Sequence, residues 1–208
     1  MLVRRVGEGY ERTAGSCELL VAAVSRRESP ERACMVMLVS DPLQQFTVSM
    51  PVTIRLCRKD DLPALEWFGM FTDHREMILA AYDSQERGEA LMLVAEMQGF
   101  PIGQVWIDLT LERVDATGVL WAVRVFPTMQ NRGIGTRLML AAEDVLCRRG
   151  FTAVELGVEK DNLPAKRFYE RQGYRVVADT QDEYSYTTPG GVLVCVPTEQ
   201  WILRKVLT

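Results

Sequence analysis

The chain has 208 residues, 48% hydrophobic and 25% charged, with a formal net charge of −4, which suits one domain, or one domain with an appendage, around a full core. No apolar run approaches the ~20 residues that span a bilayer and no basic stripe is available for nucleic acid, so neither a membrane nor a nucleic acid is expected as a partner. A single histidine, His74, rules out a multi-histidine metal site, and five scattered cysteines without a C-x-x-C pair point to reduced thiols in a cytoplasmic protein rather than to a disulfide framework or a metal centre.

Residues 1–50 differ from the rest. Their six arginines and six acids cancel, so the whole net charge arises after Met50. The apolar runs "LLVAAV" and "ACMVMLV" flank the polar "SRRESPER", a turn or linker composition. The segment reads as a peripheral extension, either a strand pair or a short helix and strand, or as a stretch that translation bypasses. Residues 51–208 read as the domain proper. "VTIRLC" alternates as a strand, and Asp60 and Asp61 with Pro63 behind them mark a helix start. Residues 62–87 are expected to be helical, broken near Gly69 and Thr72-Asp73 and closed by Gly88. A hairpin turning at Gln98-Gly99 follows, then a strand in "GVLWAVRVF". Ile134, Leu138 and Val145 recur at helical spacing up to a basic last turn at Arg148-Arg149 and a stop at Gly150. "TAVELGV" is a strand, "LPAKRFYERQG" a helix with Pro164 in its first turn, and "YRVVADT" and "VCVPTEQWILRKVL" are closing strands. The order implies an α/β fold with a mixed sheet and helices on its faces.

The stretch "QNRGIGTRL" opens the helix at Ile134 with two glycines. A P-loop requires Gly-Lys-Ser/Thr, and here Gly135 precedes Thr136 and Arg137. A dinucleotide fingerprint requires a third glycine, where Leu138 stands. What remains is a helix N-terminus whose unpaired amides and dipole favour a phosphate, with glycines that admit close approach and Arg132 at its edge. The same glycines would also serve a plain strand-to-helix turn.

A second pattern lies thirty-two residues beyond Gln130: Asn162, Ala165, Tyr169, Gly173 and Tyr174 form N-x-x-A-x-x-x-Y-x-x-x-G-[FY]. With Q-x-x-G-x-G ahead of it, the sequence from Val52 to Leu207 resembles the GNAT superfamily of acyl-CoA-dependent N-acyltransferases, including a closing W-x-L-x-K strand at Trp201, Leu203 and Lys205. The resemblance implies a GNAT fold, a mostly antiparallel mixed sheet flanked by helices, and acetyl-CoA as donor without a metal. It implies that backbone groups of Val123, Arg124 and Val125 pair with the pantetheine arm as an added strand would. A strand amide near Val125 would stabilise the oxyanion. The loop of Gln130, Asn131, Arg132, Gly133, Ile134, Gly135 and Thr136 would hold the pyrophosphate, Asn162 would contact the arm, and Tyr169 would protonate the departing thiolate. A phenol of pKa ~10 is protonated near neutrality and suits that role.

The general base is open. Relatives that acetylate protein N-termini carry a Glu where this chain has Gly157. Glu155 and Glu159 flank it on the same strand face, and either would serve through a water. Other relatives place an acid on the strand that here reads "GVLWAVRVF" and contains none; Asp115 precedes it and Glu96 and Asp108 lie in the hairpin, and each of these acids is more often a solvated surface charge. Trp67, Phe68, Phe71 and His74 fall in the segment that would cover the acceptor, although aromatics at that spacing usually face a core. The expected reaction is acetyl transfer to a primary amine of a small molecule, the acidic domain suiting a cationic one. A protein lysine or N-terminus is the alternative within the class, and a catalytically silent acyl-CoA sensor the alternative outside it. A homodimer is compatible with the sequence.

Overall fold

Strands β1 (Thr53–Leu56), β2 (Ala90–Met97), β3 (Phe100–Asp108), β4 (Thr117–Val125), β5 (Ala153–Glu159), β6 (Arg175–Thr187) and β7 (Leu193–Val206) form one sheet in the order β1-β2-β3-β4-β5-β7-β6. They are seen in a computed structural model that describes residues 46–110, 116–188 and 190–208, and the unit treated below runs from Val48 to Thr208. Every pairing is antiparallel except β4 with β5. Helix α1 (Arg75–Glu86) covers one face, and α2 (Ile134–Arg148) and α3 (Leu163–Glu170) cover the other. This is the mixed, mostly antiparallel α/β architecture expected from the sequence.

Strand β2 explains why the central sequence reads as an unbroken apolar run. Leu91, Leu93 and Ala95 join the core under α2 and α3, while Met92 and Val94 join the core under α1. Both faces are covered, so alternation is lost. The β2–β3 hairpin turns on Gln98 and Gly99, at φ 52° and 82°, the pair of positive angles a tight two-residue hairpin needs.

Helix α2 lies close to the sheet because glycines stand beneath it. A Cβ on Gly118 would come within 2.4 Å of Leu146, and one on Gly103 within 3.0 Å of Leu138. The helix ends as its sequence predicts, with Gly150 at φ 84° and the Phe151 amide donating back to the Leu146 carbonyl at 3.1 Å. Helix α3 starts at Asn162, whose Oδ1 accepts from the Ala165 amide at 3.2 Å.

Two expectations are corrected. The segment 62–87 does break near Gly69, but its first part is not α-helical: it is a 3-10 stretch at Lys59–Glu66, another at Thr72–His74, and an α-helix only from Arg75. Trp67, Phe68 and Gly69 take left-handed angles of 44°, 58° and 94°. The Trp67 indole, 1% exposed, donates to the Pro101 carbonyl at 2.8 Å, and seating it in the sheet's core overrides helical propensity. The closing hairpin is also longer than expected, because β6 and β7 stay paired out to Thr187 and Leu193.

Candidate active site

The site is made by two parallel neighbours that separate. Strands β4 and β5 are in register from Thr117 opposite Ala153 to Leu120 opposite Leu156, and no further. Beyond that point β4 follows β3, with Arg124 opposite Gln104 and Val125 opposite Gly103, while β5 follows β7, with Gly157 opposite Ile202 and Glu159 opposite Gln200. A bulge in β4 helps to turn it away: the register shifts between Gln104 and Trp106, and Ala122 sits at φ 49°. The result is a cleft of about 290 Å³ whose walls include Ala122 and Val123 of β4, Gly157 and Glu159 of β5, Asn162 and Tyr169 of α3, and Gln200 of β7. Diverging strands leave facing backbone edges that an extended ligand can pair with, as an added strand does.

The N-terminus of α2 stands at the far end of β4. Gly133 is its cap at φ 79°, with nothing within 4 Å of the place a side chain would occupy, and Asn131 takes a left-handed φ of 59°. The Arg137 amide donates to the Gly133 carbonyl at 3.1 Å, so the amides of Ile134, Gly135 and Thr136 are the orphan donors of the first turn, and no side chain caps them. Such a turn attracts a phosphate group. Gly135 packs against the Phe168 ring, 3.2 Å from its Cβ position, and 3.7 Å from Val125, locking the loop between α3 and β4. Gln130 is occupied otherwise than expected: its Nε2 donates to the Val125 carbonyl at 3.1 Å, fastening the loop to β4. Arg132 is exposed, and its Nε donates to the Thr128 carbonyl at 3.4 Å.

Tyr169 is 8% exposed, in edge contact with Phe168 and Tyr174. Burial pushes its pKa up to about 12, so it holds its proton throughout the neutral range. Glu155 and Glu159 lie on one face, opposite the core-facing Val154, Leu156 and Val158, but have different surroundings. Glu155 sits where β4 and β5 are still paired and accepts from Arg204 at 2.9 Å, an ion pair that removes it from the cleft. Glu159 lines the cleft. Glu96 is drawn to Arg55 at 3.6 Å and to the Gly99 amide, and Asp108 accepts from the Thr110 amide at 2.7 Å. Asp115 lies outside the described residues.

Across the sheet, on the α1 face, the side chains of the covering segment meet the closing hairpin. The Arg124 guanidinium lies 4.1 Å over the Phe71 ring, and the His74 ring stacks on Tyr186 at 4.9 Å. Burial first, then the charge of Arg124, lowers the pKa of His74 and favours a neutral imidazole. Phe68, by contrast, is 85% exposed and stacks on Phe100. Sequence reasoning missed Gln200 and Tyr186. Alternation from the core-facing Leu203 and Trp201 puts Gln200 on the opposite face, a signal that identifies it only once its strand is known to lie beside β5.

The profile of the Acetyltransferase (GNAT) family matches residues 57–174. A mycothiol acetyltransferase of Thermomonospora curvata is 33% identical over 147 residues, which is 66% of this chain and 48% of that protein, so the chain spans about half the length of that curated relative. Among solved structures, the ribosomal-protein-S18-alanine N-acetyltransferase of Escherichia coli aligns with a TM-score of 0.58 at 19% identity, covering 76% of this chain and 95% of that one. The PaiA N-acetyltransferase of Thermoplasma acidophilum, in complex with coenzyme A, aligns with a TM-score of 0.56 at 21% identity, covering 76% and 99%. At those identities the two structures speak for the fold.

Proposed function

Because the chain belongs to the acetyltransferase (GNAT) family, we propose that it transfers an acetyl group from acetyl-CoA to a primary amine of a small molecule, by direct attack in a ternary complex. The observation that carries this reading is the alignment of three features along one path: the orphan amides of α2, the diverging edges of β4 and β5, and the buried phenol of Tyr169. In this reading Asn131, Gly133, Ile134, Gly135 and Thr136 hold the pyrophosphate with backbone amides, and Val123 and Val125 pair with the pantetheine arm. Gln130 keeps the loop against β4. The Oδ1 of Asn162 caps α3, which leaves its Nδ2 to donate to the arm.

The amine lone pair forms the C–N bond to the acetyl carbon, the C–S bond breaks, and the amine gives up one proton as the sulfur gains one. A phenol of pKa about 12 is a weaker acid than a thiol of pKa ~8.5. Tyr169 therefore hydrogen-bonds the leaving sulfur, and passes on its proton as it takes one released from the nitrogen. Glu159, the carboxylate at the cleft, takes the extra proton of an amine that arrives as ammonium and passes it to water before the attack. Support for a small acceptor comes from Gly157, which places no carboxylate at the centre of the cleft, and from relatives named mycothiol acetyltransferases.

The test is thiol release from acetyl-CoA with spermidine, kanamycin, cysteamine and amino-acid amides, alongside peptides with a free N-terminus or lysine. The expected result is turnover of a small amine, with Tyr169→Phe binding acetyl-CoA normally and turning over ~10²-fold more slowly. Because Tyr169 stays protonated, the rate should rise through the pKa of the amine and show no falling limb from this phenol below about pH 10. Turnover of peptides alone would move the acceptor to protein. Tight acetyl-CoA binding with no turnover of anything would make the chain a sensor.

A further inference from the structure

We propose that the side-chain amide of Gln200 is the hydrogen-bond acceptor that orients the incoming amine over the thioester, in space that Gly157 leaves bare. The proposal rests on the acetyltransferase reading above. Gly157 lies in the part of β5 that has parted from β4, on the face turned away from α2 and α3. Gln200 stands on the neighbouring strand, opposite Glu159. Its side chain runs back over the glycine: a Cβ built on Gly157 would fall 2.1 Å from Gln200 Oε1 and 3.2 Å from its Cδ. No residue with a side chain could stand at position 157 without evicting it.

Two hydrogen-bonding facts fix what this group can do. Nε2 of Gln200 donates to Thr198 Oγ1 at 3.3 Å, which sets the amide's orientation and leaves Oε1 against Gly157, in the wall of the cleft. An amide oxygen accepts a hydrogen bond and takes up no proton near neutrality. Gln200 can therefore hold an N–H and aim the nitrogen lone pair, but it cannot be the base. Orientation of this kind is lost steeply when an orienting group moves by an ångström. Glu159, the cross-strand neighbour of Gln200, is left to pass the proton on, so orientation and proton transfer fall to two different side chains.

The experiment combines Gln200→Ala, Gly157→Ala, their double variant and Gln200→Glu, assayed with acetyl-CoA and the amine that wild type turns over fastest. Expected for Gln200→Ala is a fall in kcat of roughly tenfold or more, with acetyl-CoA affinity by calorimetry within about twofold and the shape of the pH–rate profile unchanged. Gly157→Ala meets only the end of a flexible side chain, so its melting temperature should hold while its kcat falls as far. The double variant should be no worse than either single one, because both remove the same contact. Gln200→Glu, which keeps an oxygen in place, should recover most of the rate. Gln200→Ala turning over within about twofold of wild type, losing acetyl-CoA binding, or multiplying with Gly157→Ala would overturn the assignment and leave the acetyltransferase reading standing. Wild type that binds acetyl-CoA but acetylates no amine would overturn both.

Discussion

The face of the sheet under α2 and α3 and the face under α1 are made by different means. Under α2 and α3 the backbone approaches closely over glycines, as Gly118 does to Leu146 and Gly135 to Phe168. The same core buries Leu138, Met139, Ala142 and Tyr174. Even the charges there are tied, Glu143 accepting from Tyr174 at 3.0 Å and from Lys205 at 2.7 Å. The α1 face is covered by α1 together with short 3-10 stretches around a left-handed corner at Trp67, and it holds buried polar atoms without a partner among the described residues, Nδ1 of His74 and Nε2 of Gln104. A closely packed core with its charges tied favours one arrangement, whereas unpaired polar atoms beside an aromatic cluster suit a surface completed by a ligand or by water. In the proposed reading the first face builds the donor site, and the second faces the acceptor.

Three substitutions probe that contrast. Leu138→Ala empties part of the packed side and should cost about 3 kcal/mol in urea unfolding, a loss of under 1 kcal/mol showing that α2 is less tightly seated than its contacts imply. Asp61→Asn tests the α1 side, where Asp61 accepts from both Arg55 Nη1 at 2.6 Å and Nη2 at 2.9 Å, and from the Arg58 amide at 2.7 Å. The cost at pH 7 should be about 2 kcal/mol. The hydrogen bond from Arg55, foremost, holds the Asp61 carboxyl below its ordinary range. Its contribution is therefore present above the unfolded pKa of ~3.9 and is lost as pH falls through the lower folded value. The gap between Asp61→Asn and wild type should close at acid pH; a gap that stays constant would mean that the loss is one of packing. Phe68→Ala, at an exposed stack on Phe100, should change stability by no more than about 0.5 kcal/mol, and a larger cost would assign the corner a share in folding.

The same contrast decides what could be read from the sequence. Donor-side elements follow local rules: glycines at the start and after the end of α2, the Asn162 cap, Pro164 and Gly173 around α3. Each of these is decided within a few residues. The acceptor side depends on distant partners. The fold at Trp67 is set by a bond to Pro101, the surroundings of His74 by Tyr186, and the role of Gly157 by a side chain on a strand more than forty positions later. The parting of Glu155 from Glu159 was hidden for the same reason, since only strand pairing brings Arg204 to one of them. Period and capping report neighbours along the chain, and the acceptor side is made of neighbours across it.

The central claim is that acetyl-CoA lies along β4 with its pyrophosphate on the first turn of α2. Backbone amide NMR during an acetyl-CoA titration tests it most directly. The account predicts saturable shifts concentrated at Val123, Val125, Gly133, Ile134, Gly135 and Thr136, with smaller ones at Asn162 and Tyr169. Saturable binding with its largest shifts away from β4 and α2, or no binding at millimolar acetyl-CoA, would contradict it.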